Sequence, residues 1–349
     1  MEISFGVNGV LRRTCPSIDI KEEIQCFNGS ELGADGTDPD ASYVQTYDDV
    51  KDYYGKQLTN TEDLKTSACA VFSRSLPKHI KDTLSEIHED ISSRYYGCGL
   101  TVPECLENCR ILDLGSGSGR DCYMLSKLVG QQGYVTGVDM TDEQLELSRK
   151  YIKYHMQKFG YEQPNVEFVK GHIEDLKAAN IADETFDVVI LFLLFSGEGI
   201  AGALLWKDLF QLAEEIGFSP PRLVTSRYLT INQELRDIVG KLTKFVSATY
   251  RLFRLPKEVV KEKNLVTYTG GITGYDTQIN FDANYTFMEG QAVEVDKELC
   301  GILRNSRFAH YFSFEPLKRI SDFKKDLIQD PFEFAESGQA SDSNSCCKS

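Results

Sequence analysis

Glycines at alternate positions form the first motif that could support chemistry. Residues 113–119 read DLGSGSG, which places Gly115, Gly117 and Gly119 two positions apart. Glycine allows a tight turn and lets main-chain N–H groups approach a ligand closely, as nucleotide and nucleoside sites require. Asp113 stands two residues before the first glycine, where its carboxylate could face a cationic group of that ligand. The other interpretation is a turn that only joins a strand to a helix.

Two further segments carry acidic residues that suit recognition of a nucleoside. Asp139 ends the second predicted strand, where its carboxylate can accept both hydroxyls of a ribose. After the third predicted strand, Ile173 offers an apolar surface to adenine and Glu174 an acceptor for its exocyclic amine; the alternative is a solvated loop. The glycine spacing is G-x-G-x-G rather than the G-x-G-x-x-G of dinucleotide sites. An acid such as Asp139 is common to NAD and S-adenosylmethionine (SAM) sites, so only the glycine spacing disfavours a dinucleotide. Together the three features favour a SAM site over coincidence.

Cysteines suggest a second kind of chemistry. Cys69 lies in a polar segment, and Cys98 stands between Gly97 and Gly99, which leave its sulfur uncrowded. Cys98 follows a predicted helix, and the negative potential at a helix C-terminus raises the pKa of a thiol. A raised pKa disfavours a free nucleophilic thiolate at Cys98, but it is compatible with a thiol that loses its proton when it binds a soft ion. The alternative is a small buried apolar side chain.

Three other cysteines are expected to be structural. Cys105, Cys109 and Cys122 lie near the first predicted strand or in the helix after the glycine turn. The Cys105 and Cys109 pair has no matching second pair, so it gives weak support for a zinc knuckle.

Strands and helices alternate around these motifs. Strands are predicted at residues 110–114, 134–139, 166–170 and 186–191, with helices opening at Pro77, after Gly119 and at Thr141, where residues 141–144 form a capping-box pattern. This alternation predicts an α/β fold with a doubly wound parallel sheet. From Val224 onward, short aromatic strands broken by glycines predict a smaller β-rich domain.

Composition limits the kinds of partner. There are 38 basic and 53 acidic residues, a net charge of −15, so nucleic acid and anionic membrane surfaces are not expected partners. The longest apolar run, residues 188–195, is far shorter than the about 20 residues of a membrane span. Residues 1–10 lack the pattern of a secretory signal. We therefore expect a soluble cytoplasmic protein whose cysteines are thiols rather than disulfides.

Several segments together resemble the animal arsenite methyltransferases. They are residues 94–100 (RYYGCGL), 111–123 (ILDLGSGSGRDCY), 138–141 (VDMT), 151–158 (YIKYHMQK), 245–253 (FVSATYRLF), 270–274 (GGITG) and 281–287 (FDANYTF). The resemblance extends over about residues 50–334. Because the last three segments lie outside the general methyltransferase fold, it is more specific than a likeness to any SAM-binding protein.

The resemblance implies methyl transfer from SAM to trivalent arsenic held by cysteine thiolates, as in arsenic detoxification. Cys69 and Cys98 match the first two arsenic-binding cysteines of the family. Arsenic(III) is soft and thiophilic, and its lone pair can attack the methyl group without a general base. Expected partners are trivalent arsenicals, with glutathione or a thioredoxin-type thiol as reductant. The expected cofactor contacts are Asp113, Gly115, Ser116, Gly117, Ser118, Gly119, Asp139, Met140, Ile173 and Glu174.

The chain departs from the family after the fourth predicted strand. The family has a third cysteine directly after that strand, then a helix, a strand and a further helix before a Gly-Glu-Cys motif. Here residues 188–195 contain no cysteine, and Gly199 stands where the later motif would carry one. The interval before the next predicted helix, residues 204–216, is too short for a crossover helix and its strand. We therefore expect an incomplete sheet with exposed ladder groups.

The expected organisation has four parts. They are a flexible acidic tail (residues 1–44), a SAM-binding methyltransferase domain shortened after residue 191 (45–223), a C-terminal domain (224–336) and a flexible cysteine-containing tail (337–349). Four functions remain open: arsenite methylation, impaired by the missing segment; non-catalytic binding of SAM or arsenic; methyl transfer to a small thiol; and nicotinamide oxidoreduction, which the glycine spacing disfavours. Methylated arsenic as product distinguishes the first two, and SAM against NAD binding tests the last.

Overall fold

The computed structural model describes residues 76–95, 100–191, 205–229, 237, 244–259, 262–317 and 327–337, together with the main chain of residues 2–6, 11–13 and 192. Cys69, Cys98 and the interval after residue 192 in which the family has further elements lie outside these residues. No helix of the described part is long and apolar enough to cross a membrane.

The described residues form a large sheet of eight strands. In chain order these are β1 (Glu2–Gly6), β2 (Leu11–Arg13), β3 (Arg110–Leu114), β4 (Tyr134–Asp139), β5 (Val166–Lys170), β6 (Val188–Phe192), β7 (Arg222–Tyr228) and β8 (Lys244–Phe253). Their order across the sheet is β2-β8-β1-β6-β3-β4-β5, and β7 also pairs with β8. Neighbours from β1 to β5 in this order are parallel. The predicted α/β class is confirmed, and β3, β4 and β5 have the predicted bounds.

Six helices that lie between residues 78 and 215 accompany the sheet in the described part of the chain. They are α1 (Lys78–Leu84), α2 (Glu89–Ser92), α3 (Arg120–Val129), α4 (Asp142–Lys150), α5 (Ile152–Phe159) and α6 (Trp206–Glu215). The single helix predicted from Pro77 is divided, because extended backbone at His88 caps a new start at α2. The capping-box prediction is wrong in one respect: the Thr141 side chain makes no cap bond, and the Thr141 N–H donates to Asp139 instead.

Apolar side chains cover both faces of the parallel strands. On one face, Ile111 of β3 packs with residues of α1 to α5, among them Ile91, Leu125 and Leu145. On the other, Leu112 and Leu114 pack with Val138 and with the connection between β5 and β6. This alternation along β3 is what a strand buried on both sides requires.

Strand β1 lies between β6 and β8 in the large sheet. Its register is parallel with β6, from Glu2 opposite Val188 to Gly6 opposite Phe192. It is antiparallel with β8, from Glu2 opposite Phe253 to Phe5 opposite Tyr250. Strand β2 continues the same path, with Arg12 opposite Phe245 of β8.

These two strands contradict the expectation of a flexible tail for residues 2–6 and 11–13, which are sheet strands. The other residues of the predicted tail, 1–44, lie outside the described part of the chain, and for them the tail stays a prediction. The expected exposure of the β6 edge is wrong, because β1 pairs with it. The physical reason is that unpaired ladder groups of β6 and β8 are a template for any extended segment that reaches them. The N-terminal segment occupies that position.

Most of the remaining elements form smaller sheets around a second core. They are β9 (Asn264–Tyr268), β10 (Gln278–Asn280), β11 (Thr286–Met288), β12 (Ala292–Val295), α7 (Lys297–Arg304) and β13 (Phe312–Pro316). The last helix, α8 (Pro331–Glu336), packs instead against β7 and β8 of the large sheet through Phe332 and Phe334. Strands β12, β9 and β13 form one sheet, and β10 pairs with β11. A boundary at residue 224 falls inside β7, which pairs with β8 in the large sheet. The division into domains stays a prediction.

Proline in β1 tests whether this strand holds the sheet together. Ser4 lies opposite Ile190 of β6 and Arg251 of β8. Ser4→Pro removes an N–H from a strand paired on both sides, so we expect the free energy of unfolding in urea to fall by about 1–3 kcal/mol. Ser4→Ala keeps the N–H and should change it by less than about 0.5 kcal/mol. Equal unfolding midpoints for the two variants would contradict the placement of β1.

Candidate cofactor site

The glycine turn follows β3 and adopts backbone angles that favour glycine. Gly115, Gly117 and Gly119 have φ angles of +83°, +51° and +86°. A Cβ added to Gly115 or Gly117 would meet no atom within 4 Å, whereas one on Gly119 would lie 2.6 Å from the Phe168 ring. The first two glycines therefore leave an open side that a ligand can approach. Gly119 is required for packing of the turn against β5.

Asp113 is a buried carboxylate, and one of its oxygens has no hydrogen-bond partner. Its side chain is on β3, directly before the turn, and only 2% of the residue is exposed. Oδ2 accepts a hydrogen bond from the Cys122 thiol at 3.1 Å, while Oδ1 is buried and has no partner. Burial, together with the nearby carboxylates of Asp121 and Asp139, raises the pKa of Asp113 to about 7. A cation bound at Oδ1 would favour the ionised form.

A second polar atom beneath the turn lacks a partner. The Ser116 hydroxyl is buried and makes no hydrogen bond. Buried polar groups are normally paired, so two orphaned oxygens at one turn indicate a polar or charged ligand. An ammonium group such as that of SAM is chemically suited to both oxygens, and its contact with Asp113 and Ser116 stays a prediction.

Asp139 ends β4 and is held in place by main-chain donors. Its two oxygens accept from the Gly117 N–H and the Thr141 N–H, each at 2.8 Å. Burial raises the pKa of Asp139, although these two bonds oppose the shift. Each carboxylate oxygen has a further lone pair, so the oriented group can still accept ribose hydroxyls. Met140 lies half-buried beside it.

The loop predicted to contact adenine starts from the same edge of the sheet. The Gly171 N–H donates to the Asp139 carbonyl at 3.0 Å, which places the start of the loop beside the acidic residue. Ile173 is 38% exposed and Glu174 is also exposed. Their contact with adenine stays a prediction.

The turn is also tied to the helices that precede β3. The Ser118 hydroxyl donates to the Ile91 carbonyl of α2 at 3.0 Å. The Arg120 guanidinium lies over the Tyr95 ring, 3.1 Å from its centroid, and its Nε donates to Asp121 at 2.8 Å. Sequence reasoning missed the pairing of Arg120 with Tyr95, although both lie within the quoted family segments.

The described cysteines are free and buried. They are Cys105, Cys109, Cys122 and Cys300. Burial raises the pKa of Cys105 to about 11 and that of Cys109 to about 12, which makes both thiols unreactive near neutral pH. No group of three or more metal-ligating side chains occurs among the described residues. Cys122 differs from the others because it contacts Asp113, a role that its position in the sequence did not reveal.

Two sequence families match this chain. Residues 261–349 match the arsenite methyltransferase C-terminal domain, and residues 106–271 match a methyltransferase domain. Arsenite methyltransferase of Rattus norvegicus is 46% identical over 340 residues, covering 84% of this chain and 92% of the relative. The human arsenite methyltransferase is 44% identical, covering 82% and 91%.

A solved structure shares the fold. The crystal structure of an arsenic(III) S-adenosylmethionine methyltransferase from Chlamydomonas reinhardtii matches with a TM-score of 0.66 and 29% identity, covering 72% of this chain and 100% of that one. The SAM-dependent methyltransferase fold and SAM as cofactor are thereby confirmed.

The alignment with the rat enzyme also bears on the shortened region. It runs over 340 residues but uses 84% of the 349 in this chain, so it includes positions that the relative fills and this chain lacks. The place of the departure, after β6, stays a prediction. The identity over more than four-fifths of the chain nonetheless settles its classification. The chain belongs to the arsenite methyltransferase family.

Proposed function

We propose that this chain transfers a methyl group from SAM to trivalent arsenic bound by cysteine thiolates. The observation that carries the proposal is the buried, unpartnered Oδ1 of Asp113 beneath an open glycine turn, in a chain of the arsenite methyltransferase family. A buried carboxylate at this turn would not serve to bind a nicotinamide dinucleotide. It can pair with the ammonium group of SAM.

The residues around the turn would hold the cofactor at both ends. Asp113 and Ser116 face the ammonium, and the open sides of Gly115 and Gly117 admit the methionine chain. Asp139 accepts the ribose hydroxyls. The adenine end would be met by the remaining predicted contacts, Met140, Ile173 and Glu174. Ser118 and Gly119 act indirectly, by fixing the turn against α2 and β5.

The reaction needs positioning rather than proton transfer. SAM supplies an electrophilic methyl group on a sulfonium centre. The arsenic lone pair forms the new As–C bond while the C–S bond breaks and its electron pair returns to sulfur. Arsenic is formally oxidised from +3 to +5 in this step, so a thiol reductant such as glutathione or a thioredoxin-type protein is needed before another cycle. Correct placement of the two reacting atoms then supplies most of the rate.

Cys69 and Cys98 are the proposed arsenic ligands of this chain. Sulfur suits a soft ion, and Cys98 lies three residues after Tyr95, whose ring is covered by Arg120 at the end of the glycine turn. The family's third and fourth cysteines have no counterparts after β6. A small thiol would then complete the three-coordinate arsenic. We further place the reaction in the cytoplasm as a detoxification step, since thiol ligands require a reducing compartment.

The absence of counterparts to the family's third and fourth cysteines favours one second candidate function. With only two proposed thiol ligands for arsenic, the chain could bind SAM or arsenic without turnover. Incubation with arsenite, SAM and glutathione, followed by mass spectrometry of arsenicals, distinguishes the two. Methylarsenicals formed in proportion to enzyme support the proposal. Intact SAM binding with no methylated product supports the binding function.

Alanine at Gly117 tests the cofactor site. Gly117→Ala places a methyl group in the open side of the turn, so we expect SAM affinity, measured by calorimetry, to fall at least about tenfold, or 1.4 kcal/mol. Gly160→Ala is the matched control. Gly160 also has positive φ (+76°) and no atom within 4 Å of an added Cβ, but it ends α5. Both variants incur the same backbone strain of about 1 kcal/mol. Equal SAM affinities would contradict the site.

Serine substitutions test the arsenic ligands. We expect Cys69→Ser and Cys98→Ser each to weaken arsenite binding at least about tenfold, because chelation by two thiols is lost. Affinity of the unaltered chain should rise when glutathione is added, since a free thiol fills the third position. Binding is followed by the ultraviolet absorbance of arsenic–thiolate bonds. Cys300→Ser, in the second core, is the control. Tight binding that neither glutathione nor the two substitutions change would exclude Cys69 and Cys98 as ligands.

A further inference from the structure

We propose that Cys122 is a positioning residue of the cofactor site, whose thiol holds the Asp113 carboxylate so that Oδ1 is presented to the ammonium of the ligand. The inference rests on the proposed function, since it assumes SAM at this turn. It concerns a residue that the sequence assigned to the core and that touches no reacting atom.

The Cys122 thiol is closely packed and contacts the Asp113 carboxylate. Cys122 lies on α3, three residues after Gly119, and is fully buried. Its sulfur is 3.1 Å from Asp113 Oδ2. A Cβ on Gly137 of β4 would approach both the Cys122 sulfur and the Ser116 Cβ to 2.8 Å. The Cys122 and Ser116 side chains therefore pack closely against Gly137 beneath the turn, and the Cys122 thiol fixes one oxygen of the Asp113 carboxylate.

The charges around Asp113 explain why a donor is needed there. Asp121, on the same helix as Cys122, and Asp139, at the end of β4, both disfavour a negative charge on Asp113. The thiol hydrogen bond favours the ionised carboxylate and opposes them. Burial and the neighbouring carboxylate of Asp113 raise the pKa of Cys122 well above its usual value, so the thiol keeps its proton. Cys122 thus remains a donor across the neutral range.

Loss of the donor should move the pH range in which SAM binds. The ammonium binds the ionised form of Asp113, so affinity increases as the pH rises through the pKa of that carboxyl. Without the thiol, this pKa is higher and the increase occurs at higher pH. A purely structural role for Cys122 would instead weaken binding by the same factor at every pH.

Calorimetric titration with SAM from pH 5.5 to 7.5 tests the inference. We expect Cys122→Ala to bind about tenfold more weakly than the unaltered chain at pH 6, equivalent to one pKa unit, with the difference narrowing as the pH rises. Cys122→Ser keeps a donor and should follow the unaltered profile. Cys109→Ala, which removes a buried thiol bonded to the Cys105 carbonyl, should also leave the profile unchanged.

A second measurement uses the unaltered chain alone and does not depend on how the variants fold. Binding at pH 6 should release close to one proton, read from the dependence of the binding heat on the ionisation enthalpy of the buffer. A pH-independent ratio between Cys122→Ala and the unaltered chain overturns the role of Cys122 while leaving SAM binding in place. Absence of proton release contradicts the coupling of SAM binding to the ionisation of Asp113, and with it the inference drawn from that coupling. Failure of the unaltered chain to bind SAM contradicts the proposed function itself, and this inference with it.

Discussion

The pairing of β6 on both of its sides is the constraint on which the rest of the molecule depends. A strand in the middle of a sheet must satisfy its main-chain groups in both directions, and β6 does so with β3 and with β1. The chain supplies β1 from its N-terminus, next to β8. With this pairing the carboxyl ends of β3, β4 and β6 remain at one edge, where parallel sheets bind their ligands. The glycine turn and Asp139 both lie at that edge.

Buried charges join the cofactor-binding sheet to the aromatic C-terminal region. Glu104, just before β3, forms a buried ion pair with Arg251 of β8, and its carbonyl accepts from Arg307 at 3.0 Å. Burial lowers the pKa of Arg307 to about 9. On another side, a Cβ at Gly274 would lie 2.2 Å from the His79 ring of α1. Two segments that precede β3, at His79 and at Glu104, are thus in contact with residues that lie outside the general methyltransferase fold.

The parts of the structure that were predictable are those specified by local sequence. Strands β3, β4 and β5 are apolar runs that end in turn residues, and the spacing of Gly115, Gly117 and Gly119 is visible directly. Strand β1 was not predicted, although Ile3 and Phe5 alternate with polar residues. An alternation over five residues identifies a strand only when its pairing partners are known, and these partners lie far along the chain. The role of Cys122 was missed for a related reason. A hydrogen bond between a helix and a strand depends on how they pack, which a single sequence does not encode locally.

The order of β1 and its partners along the chain has a consequence for biosynthesis. Strand β1 leaves the ribosome before both of its neighbours, which are residues 188–192 and residues 250–253. At ordinary elongation rates, on the order of 10–50 s separates its appearance from that of β8. Strands β3 to β5 can pair among themselves before either partner of β1 has been synthesised. Strand β1 is therefore made early but is among the last strands to enter the sheet.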